Sequence, residues 1–165
     1  MLINLEKILN NLVKILVEKN LKLSLCESCT GGLISKICTD LDGSSQWFSG
    51  SIVSYSNEFK QIIGVKKTVL EKFGAVSQDT ADEMSASTLK LTKADICLSI
   101  TGIAGPNGGS KEKPVGTVYF SYIDKFGFKA KEKCFFSGTR NEIRNLAARK
   151  GIQIILDCVA DIKSQ

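Results

Sequence analysis

The chain of 165 residues contains no histidine. That gap excludes the Ser-His-Asp triad, Cys-His catalysis, H-E-x-x-H zinc sites and the zinc deaminases. Any hydrolysis performed here must take its base from lysine, tyrosine or a carboxylate. Aromatic residues are scarce, at 7%, and no stretch is purely basic. The 22 basic and 17 acidic side chains leave a net charge of +5. Acids interrupt the densest basic stretches, Lys111-Glu112-Lys113 and Lys129-Ala130-Lys131-Glu132-Lys133. Such runs read as solvated faces and not as a nucleic-acid stripe, so direct nucleic-acid contact is not expected. A mild positive bias still suits an anionic small molecule.

Long apolar runs are missing too. Leu2 to Val17 is rich in apolar residues, but Asn4, Glu6, Lys7, Asn10, Asn11 and Lys14 interrupt it at helical spacing. That pattern is an amphipathic surface helix, expected over about Ile3 to Lys19, and not a signal peptide or a membrane span. A cytoplasmic protein with no membrane partner is the expectation. The six cysteines include one C-x-x-C, Cys26-Glu27-Ser28-Cys29, whose spacing admits zinc or redox chemistry. No second pair and no histidine complete a zinc site, so buried thiols rank first, and neither a metal nor another cofactor is expected.

What is present reads as one domain, large enough for a true core. Leu21 to Cys26 alternates apolar and polar residues as a strand does, and Leu33, Ile34 and Ile37 follow at helical spacing. The hexapeptide between them, Glu27-Ser28-Cys29-Thr30-Gly31-Gly32, is a strand-to-helix turn in the positive field of a helix N-terminus. A cap is the commoner use of hydroxyls such as those of Ser28 and Thr30, and catalysis is the alternative.

Farther on, Asp42 to Ser45 is a loop, with Trp47 and Phe48 as buried anchors. Ser51 to Tyr55 reads as the second strand. Ser56-Asn57 caps a short helix carrying Lys60 and closed by Gly64; helices over about Lys67 to Phe73 and Gln78 to Leu91 follow, the latter capped by Ser77. Asp95 to Ile100 is a near-continuous apolar run, the mark of a strand covered on both faces. The loop Thr101 to Gly116 holds five glycines and both prolines of the chain, and loops of this length are more often functional than idle. Thr117 to Ile123 and Phe128 to Phe136 make a hairpin. Thr139-Arg140-Asn141-Glu142 is a capping box that opens a last helix to about Ile162. Together these elements predict an α/β fold of three layers, α/β/α, around a mixed, mainly parallel sheet. Ligands in such sheets sit beyond the C-terminal ends of the parallel strands, where loops 27–32, 55–60 and 101–116 would share a cleft.

Four stretches in order carry a resemblance: Glu-Ser-Cys-Thr-Gly-Gly at 27–32, Ser-Tyr-Ser-Asn-Glu-Phe-Lys at 54–60, Gly-Ala-Val-Ser at 74–77, and Thr-Gly-Ile-Ala-Gly-Pro with Lys-Pro-Val-Gly-Thr-Val across 101–118. They resemble the CinA C-terminal domain family, which includes bacterial nicotinamide mononucleotide (NMN) deamidases, and the likeness runs from about residue 5 to 160. The chain looks like the stand-alone form, without the larger N-terminal domain of full-length CinA proteins. The resemblance implies an anticodon-binding-domain-like fold, hydrolysis of NMN to nicotinate mononucleotide and ammonia, and a homodimer. It makes Ser28 the nucleophile and Lys60 its base.

Elementary chemistry favours those roles. Without histidine a lysine is the natural base for a serine, provided its pKa falls from about 10.4 to near 7–8, at a cost of about 4 kcal/mol. Burial lowers it, and with Asn57 as the N-cap Lys60 would sit in a first helical turn, where the helix dipole opposes a cation. Tyr55 is read as positioning Lys60 or relaying a proton. Glu27 binds a ribose hydroxyl or bridges to Lys60, Thr30 holds the serine or the substrate, and amides of the 28–32 turn, Gly31 and Gly32 included, offer an oxyanion hole. Asn57, Thr101, Gly102 and Gly105 complete the expected substrate side. Loop 101–116 is not a Walker P-loop, yet its glycines let amides approach a phosphate or the carboxamide. Arg140, at a helix start, suits an anion such as the nucleotide phosphate; Thr139 before it departs from the Asp of many relatives. Ser44 and Ser45 are rival nucleophiles, with turn or cap as their commoner use. Two other functions stay open: a non-catalytic nucleotide- or protein-binding module tied to competence and DNA damage, or an amidase for a different carboxamide.

Overall fold

The computed structural model describes residues 5–162. The elements run α1 (Leu5–Glu18), β1 (Leu23–Glu27), α2 (Leu33–Thr39), a 3₁₀ turn (Ser44–Gln46), β2 (Phe48–Val53), α3 (Asn57–Ile62), α4 (Lys67–Phe73), α5 (Gln78–Thr92), β3 (Ile96–Gly102), β4 (Thr117–Asp124), β5 (Lys129–Phe135) and α6 (Arg140–Ala160). Ile3, the expected start of α1, lies outside the described residues.

The five strands form one sheet in the order β2-β1-β3-β4-β5. β1 pairs in parallel with both β2 and β3, while β4 runs antiparallel to β3 and β5 antiparallel to β4. Four strands therefore point one way and β4 alone points back, the mixed and mainly parallel sheet that the element order predicts.

Helices cover both faces. Leu23 and Leu25 of β1 belong to the larger core with Leu12 and Leu16 of α1, Ile34 of α2 and Ile152 and Ile155 of α6. The intervening Cys26 points the other way, to a smaller cluster with Ile63, Val65, Leu70 and Met84. Alternation along the strand thus feeds two cores, and every residue of β1 is buried. Under α5 the sheet presents small hydroxyls. Ser99 donates to the Ala81 carbonyl at 2.5 Å, Thr101 to the Ala75 carbonyl at 2.8 Å, and Ser85 shares a hydrogen bond with Ser121 at 3.0 Å. Small side chains let that helix approach closely, and main-chain acceptors satisfy the polar atoms it buries.

Two boundaries move in a way that matters for the site. β2 takes in Phe48 and stops at Val53, so Ser54 and Tyr55 fall in the loop after it and not in the strand. Their carbonyls are thereby free of ladder pairing. The cap of α3 is Ser56, whose Oγ accepts from the Phe59 amide at 3.1 Å. Asn57 is therefore the first helical residue and Lys60 the fourth, beyond the first turn in which the dipole was expected to act. The caps at Ser77 and Thr139 are found where their sequence patterns put them, the latter as a complete capping box with Glu142. Among the described residues no helix is long and apolar enough to cross a membrane.

Candidate active site

The parallel strands β1, β2 and β3 end side by side, and the loops that leave them enclose a cleft of about 290 Å³. Ser28, Cys29, Tyr55, Lys60, Ala75, Val76, Thr101 to Gly105, Asn107, Gly108 and Arg140 line it. Ser28 continues the sheet by one residue, its amide donating to the Ile100 carbonyl at 2.9 Å. The residue is 8% exposed, at the cleft floor.

Lys60 reaches the same point from α3 and is wholly buried. Its Nζ lies 3.0 Å from Ser28 Oγ, 2.6 Å from the Ser54 carbonyl and 3.2 Å from the Tyr55 carbonyl. No carboxylate forms an ion pair with it among the described residues. Burial without a counter-ion pushes the lysine below its ordinary pKa; only the nearby thiols of Cys26 and Cys29 act in the opposite sense. A neutral amine has two hydrogens and one lone pair. Two carbonyls stand ready for the hydrogens, which leaves the lone pair facing the Ser28 hydroxyl. That is the geometry of a general base beside a nucleophile.

Glu27 has a different task from the one expected. It is fully buried beneath the turn, and its carboxylate accepts from the amides of Gly32 at 3.0 Å, Ile34 at 3.1 Å and Ser35 at 2.8 Å, and from the Ser35 hydroxyl. It caps α2 from outside the helix, filling the role of a side-chain cap that the N-cap residue Gly32 (φ 92°) cannot supply. Neither a ribose hydroxyl nor Lys60 is therefore its partner. Neither Ser28 nor Thr30 caps the helix, and its N-terminal field is already met by an anion.

The other expected residues divide clearly. Thr101, Gly102, Gly105 and Arg140 line the cleft; Thr30, Gly31, Gly32 and Asn57 do not. A Cβ on Gly102 would lie 2.7 Å from the Thr117 carbonyl oxygen, and one on Gly105 (φ 78°) 2.5 Å from Val115 Cγ1. Both positions admit only glycine. In the nucleophile turn the amides of Ser28, Gly31 and Gly32 are taken, by Ile100, by the Ser28 carbonyl and by Glu27. Of the two remaining amides, those of Cys29 and Thr30, only the first belongs to a residue that lines the cleft, and both bear on the Cys29 thiol. Thr30 Oγ1 is buried with no hydrogen-bond partner among the described residues.

Tyr55 meets Lys60 only through its carbonyl. Tyr55 is 61% exposed, and its phenol accepts from Arg140 Nη2 at 3.2 Å, while Nη1 donates to the Gly105 carbonyl at 2.7 Å. Arg140 thus ties the loop after β2 to the loop after β3 at the mouth of the cleft. The C-x-x-C thiols are both buried and free, Cys29 pushed up to about 12 by burial and Cys26 also raised. Ser44 and Ser45 lie in the 3₁₀ turn and do not line the cleft. Ser54, Ala75 and Val76 lie within the quoted stretches but were given no role in the sequence: Ser54 acts through its carbonyl, the Ala75 carbonyl accepts from Thr101, and Ala75 and Val76 supply apolar wall.

The family model of the CinA C-terminal domain matches residues 5–159. The chain belongs to the CinA family. It is 45% identical over 151 residues to a CinA-like protein of Syntrophomonas wolfei, covering 91% of this chain but 36% of that relative. The chain spans about a third of the length of the curated relatives it matches. Among solved structures it resembles the competence/damage inducible protein CihA from Agrobacterium tumefaciens, at 34% identity and a TM-score of 0.91 over 95% of this chain and 96% of that one. It also resembles the competence damage-inducible protein A of Klebsiella pneumoniae, at 26% identity and a TM-score of 0.93 over 98% of this chain and all of that one. These CinA-family structures share the α/β architecture.

Proposed function

We propose that this CinA-family domain is a nicotinamide-nucleotide amidohydrolase that converts NMN to nicotinate mononucleotide and ammonia. The observation that carries the reading is the contact between Lys60 Nζ and Ser28 Oγ at 3.0 Å, in a buried site with no counter-ion for the lysine. Neutral Lys60 takes the hydroxyl proton as Ser28 Oγ bonds to the carboxamide carbon. The amide of Cys29, a residue that lines the cleft, is the donor we assign to the developing oxyanion. Lys60 returns its proton to the departing nitrogen, ammonia leaves, and an ester joins Ser28 to the nicotinoyl group. Water, deprotonated by Lys60, then attacks that ester; the carboxylate product leaves and Ser28 recovers its proton.

Several features favour a nucleotide carboxamide. Ala75, Val76, Ile103 and Ala104 supply an apolar wall for a flat ring beside the nucleophile. Arg140 stands at the mouth with donors in the fork geometry that suits phosphate. The amides of Gly105, Asn107 and Gly108 donate to no main-chain carbonyl among the described residues. The family resemblance adds the substrate and a homodimer, which light scattering would test.

The experiment is ammonia release from NMN by purified protein with EDTA present, beside Ser28→Ala and Lys60→Ala. Release by the wild type alone is the expected result. Release by either variant at the wild-type rate would remove that residue from the mechanism, and no release by folded wild type would remove NMN.

A further inference from the structure

Two arginines, one helical turn apart on α6, hold the three loops of the cleft. Arg140 joins the loops after β2 and β3 at the mouth, as described. Arg144 reaches instead to the nucleophile turn, where its Nη2 donates to the Thr30 carbonyl at 2.7 Å across 114 residues of sequence. The same nitrogen lies 3.5 Å from where a Cβ on Gly31 would stand, so the guanidinium rests directly on the turn. Arg144 does not line the cleft, and no carboxylate pairs with it among the described residues.

The carbonyl that Arg144 grips belongs to the Thr30–Gly31 peptide. The N–H of that same peptide donates to the Ser28 carbonyl at 3.0 Å. Guanidinium, peptide and Ser28 carbonyl therefore form a series in which each hydrogen bond polarises the next. On its other side the Ser28 amide is held by Ile100. The nucleophile's main chain is pinned by the sheet before it and by an arginine-backed turn after it.

We propose that Arg144 is a positioning residue for Ser28, holding the turn so that Oγ stays within reach of Lys60 without itself touching substrate. This rests on the Ser28/Lys60 reading above. It goes beyond that reading in assigning the geometry of the nucleophile to a side chain outside the cleft.

The test compares wild type with Arg144→Ala and Arg144→Lys by three readouts. These are the rate at which a fluorophosphonate labels Ser28, located by peptide mass spectrometry; kcat and KM for ammonia release; and hydrogen exchange at the Gly31 amide. In Arg144→Ala, labelling and kcat should fall by roughly 10- to 100-fold, the scale of a slightly misplaced reacting group, with KM changed less than about twofold. Exchange at Gly31 should rise by about tenfold or more, added methylguanidinium should restore part of the rate, and Arg144→Lys should fall between. Wild-type labelling and wild-type Gly31 exchange in folded Arg144→Ala would overturn the proposal. If that variant fails to fold, the same comparison in Arg144→Lys decides. Wild type that labels at Ser28 yet releases no ammonia from NMN would remove that substrate, and the labelling arm would still judge Arg144. Wild type that does not label at Ser28 would overturn both readings.

Discussion

Glu27 and Lys60 are both wholly buried, within reach of the same nucleophile turn, and the fold provides for them in opposite ways. Glu27 is met by three amides and a hydroxyl, all donors matched to a carboxylate. Lys60 is met by two carbonyls and a hydroxyl, with no negative charge to balance an ammonium. A buried ionisable group whose partners match its charged form holds structure together. One whose partners leave its charge uncompensated is driven toward its neutral form, and a neutral lysine is a base. Burial alone does not tell a structural residue from a catalytic one; the partners do.

The sharpest way to break this comparison is to remove the base. Lys60→Ala should fold and lose about a thousandfold in ammonia release, the usual scale of general-base catalysis. Lys60→Arg should be equally inactive, because a guanidinium keeps its proton at any working pH. An active Lys60→Arg enzyme would mean that the charge matters and the lone pair does not. Removing the acid should do the reverse. Glu27→Ala strands the amides of Gly32, Ile34 and Ser35 at the start of α2, so we expect a loss of about 3 kcal/mol in unfolding free energy, measured by urea denaturation, with glutamine restoring part of it. A stable Glu27→Ala protein with abolished turnover would place Glu27 in the chemistry after all.

The pH dependence separates the two residues further. Lys60 has a folded-state pKa below its ordinary 10.5. Between the lowered value and 10.5 the unfolded chain carries a proton there that the folded chain does not, so stability rises with pH through that window. Below the window the cost of burying the ammonium is fully present. Lys60→Met should therefore be more stable than wild type at low pH, with the gap shrinking as pH approaches 10.5. Activity of the wild type should fall on the acidic side of the same folded-state pKa. A gap that does not change with pH would mean that Lys60 titrates normally.

Much of this was legible in the sequence, for identifiable reasons. Caps at Ser77 and Thr139 act over three residues, and the alternation in β1 shows its strand locally, so both were readable. Ser28 and Lys60 could be named because the motif around each resembles a family. The burial of Lys60 could not be read locally, since it depends on β1, β2 and α3 closing around it. Glu27 looked like a cleft residue because its partners, three main-chain amides and the Ser35 hydroxyl, are gathered only when α2 forms after it. Arg144 gave no signal, for its partner Thr30 is a carbonyl 114 residues away. The limits of β2 shifted by a few residues, and that shift is what presents the Ser54 and Tyr55 carbonyls to Lys60.

The smallest predicted effect concerns Tyr55, where backbone and side chain do different things. Its carbonyl is one of the two that receive Lys60 hydrogens, and no substitution of the side chain removes it. Its phenol is exposed and bonded to Arg140, not to Lys60. A phenol that relays protons would make Tyr55→Phe nearly as damaging as Lys60→Ala. The geometry instead leaves that variant only one weakened contact at the mouth, so kcat should change by about threefold or less. Any larger effect should appear in KM, through an Arg140 that no longer holds its place at the mouth, where we propose that it meets the nucleotide. A loss of kcat comparable to that of Lys60→Ala would show that the phenol swings into the site, and Tyr55 would then join Ser28 and Lys60 in the proposed mechanism.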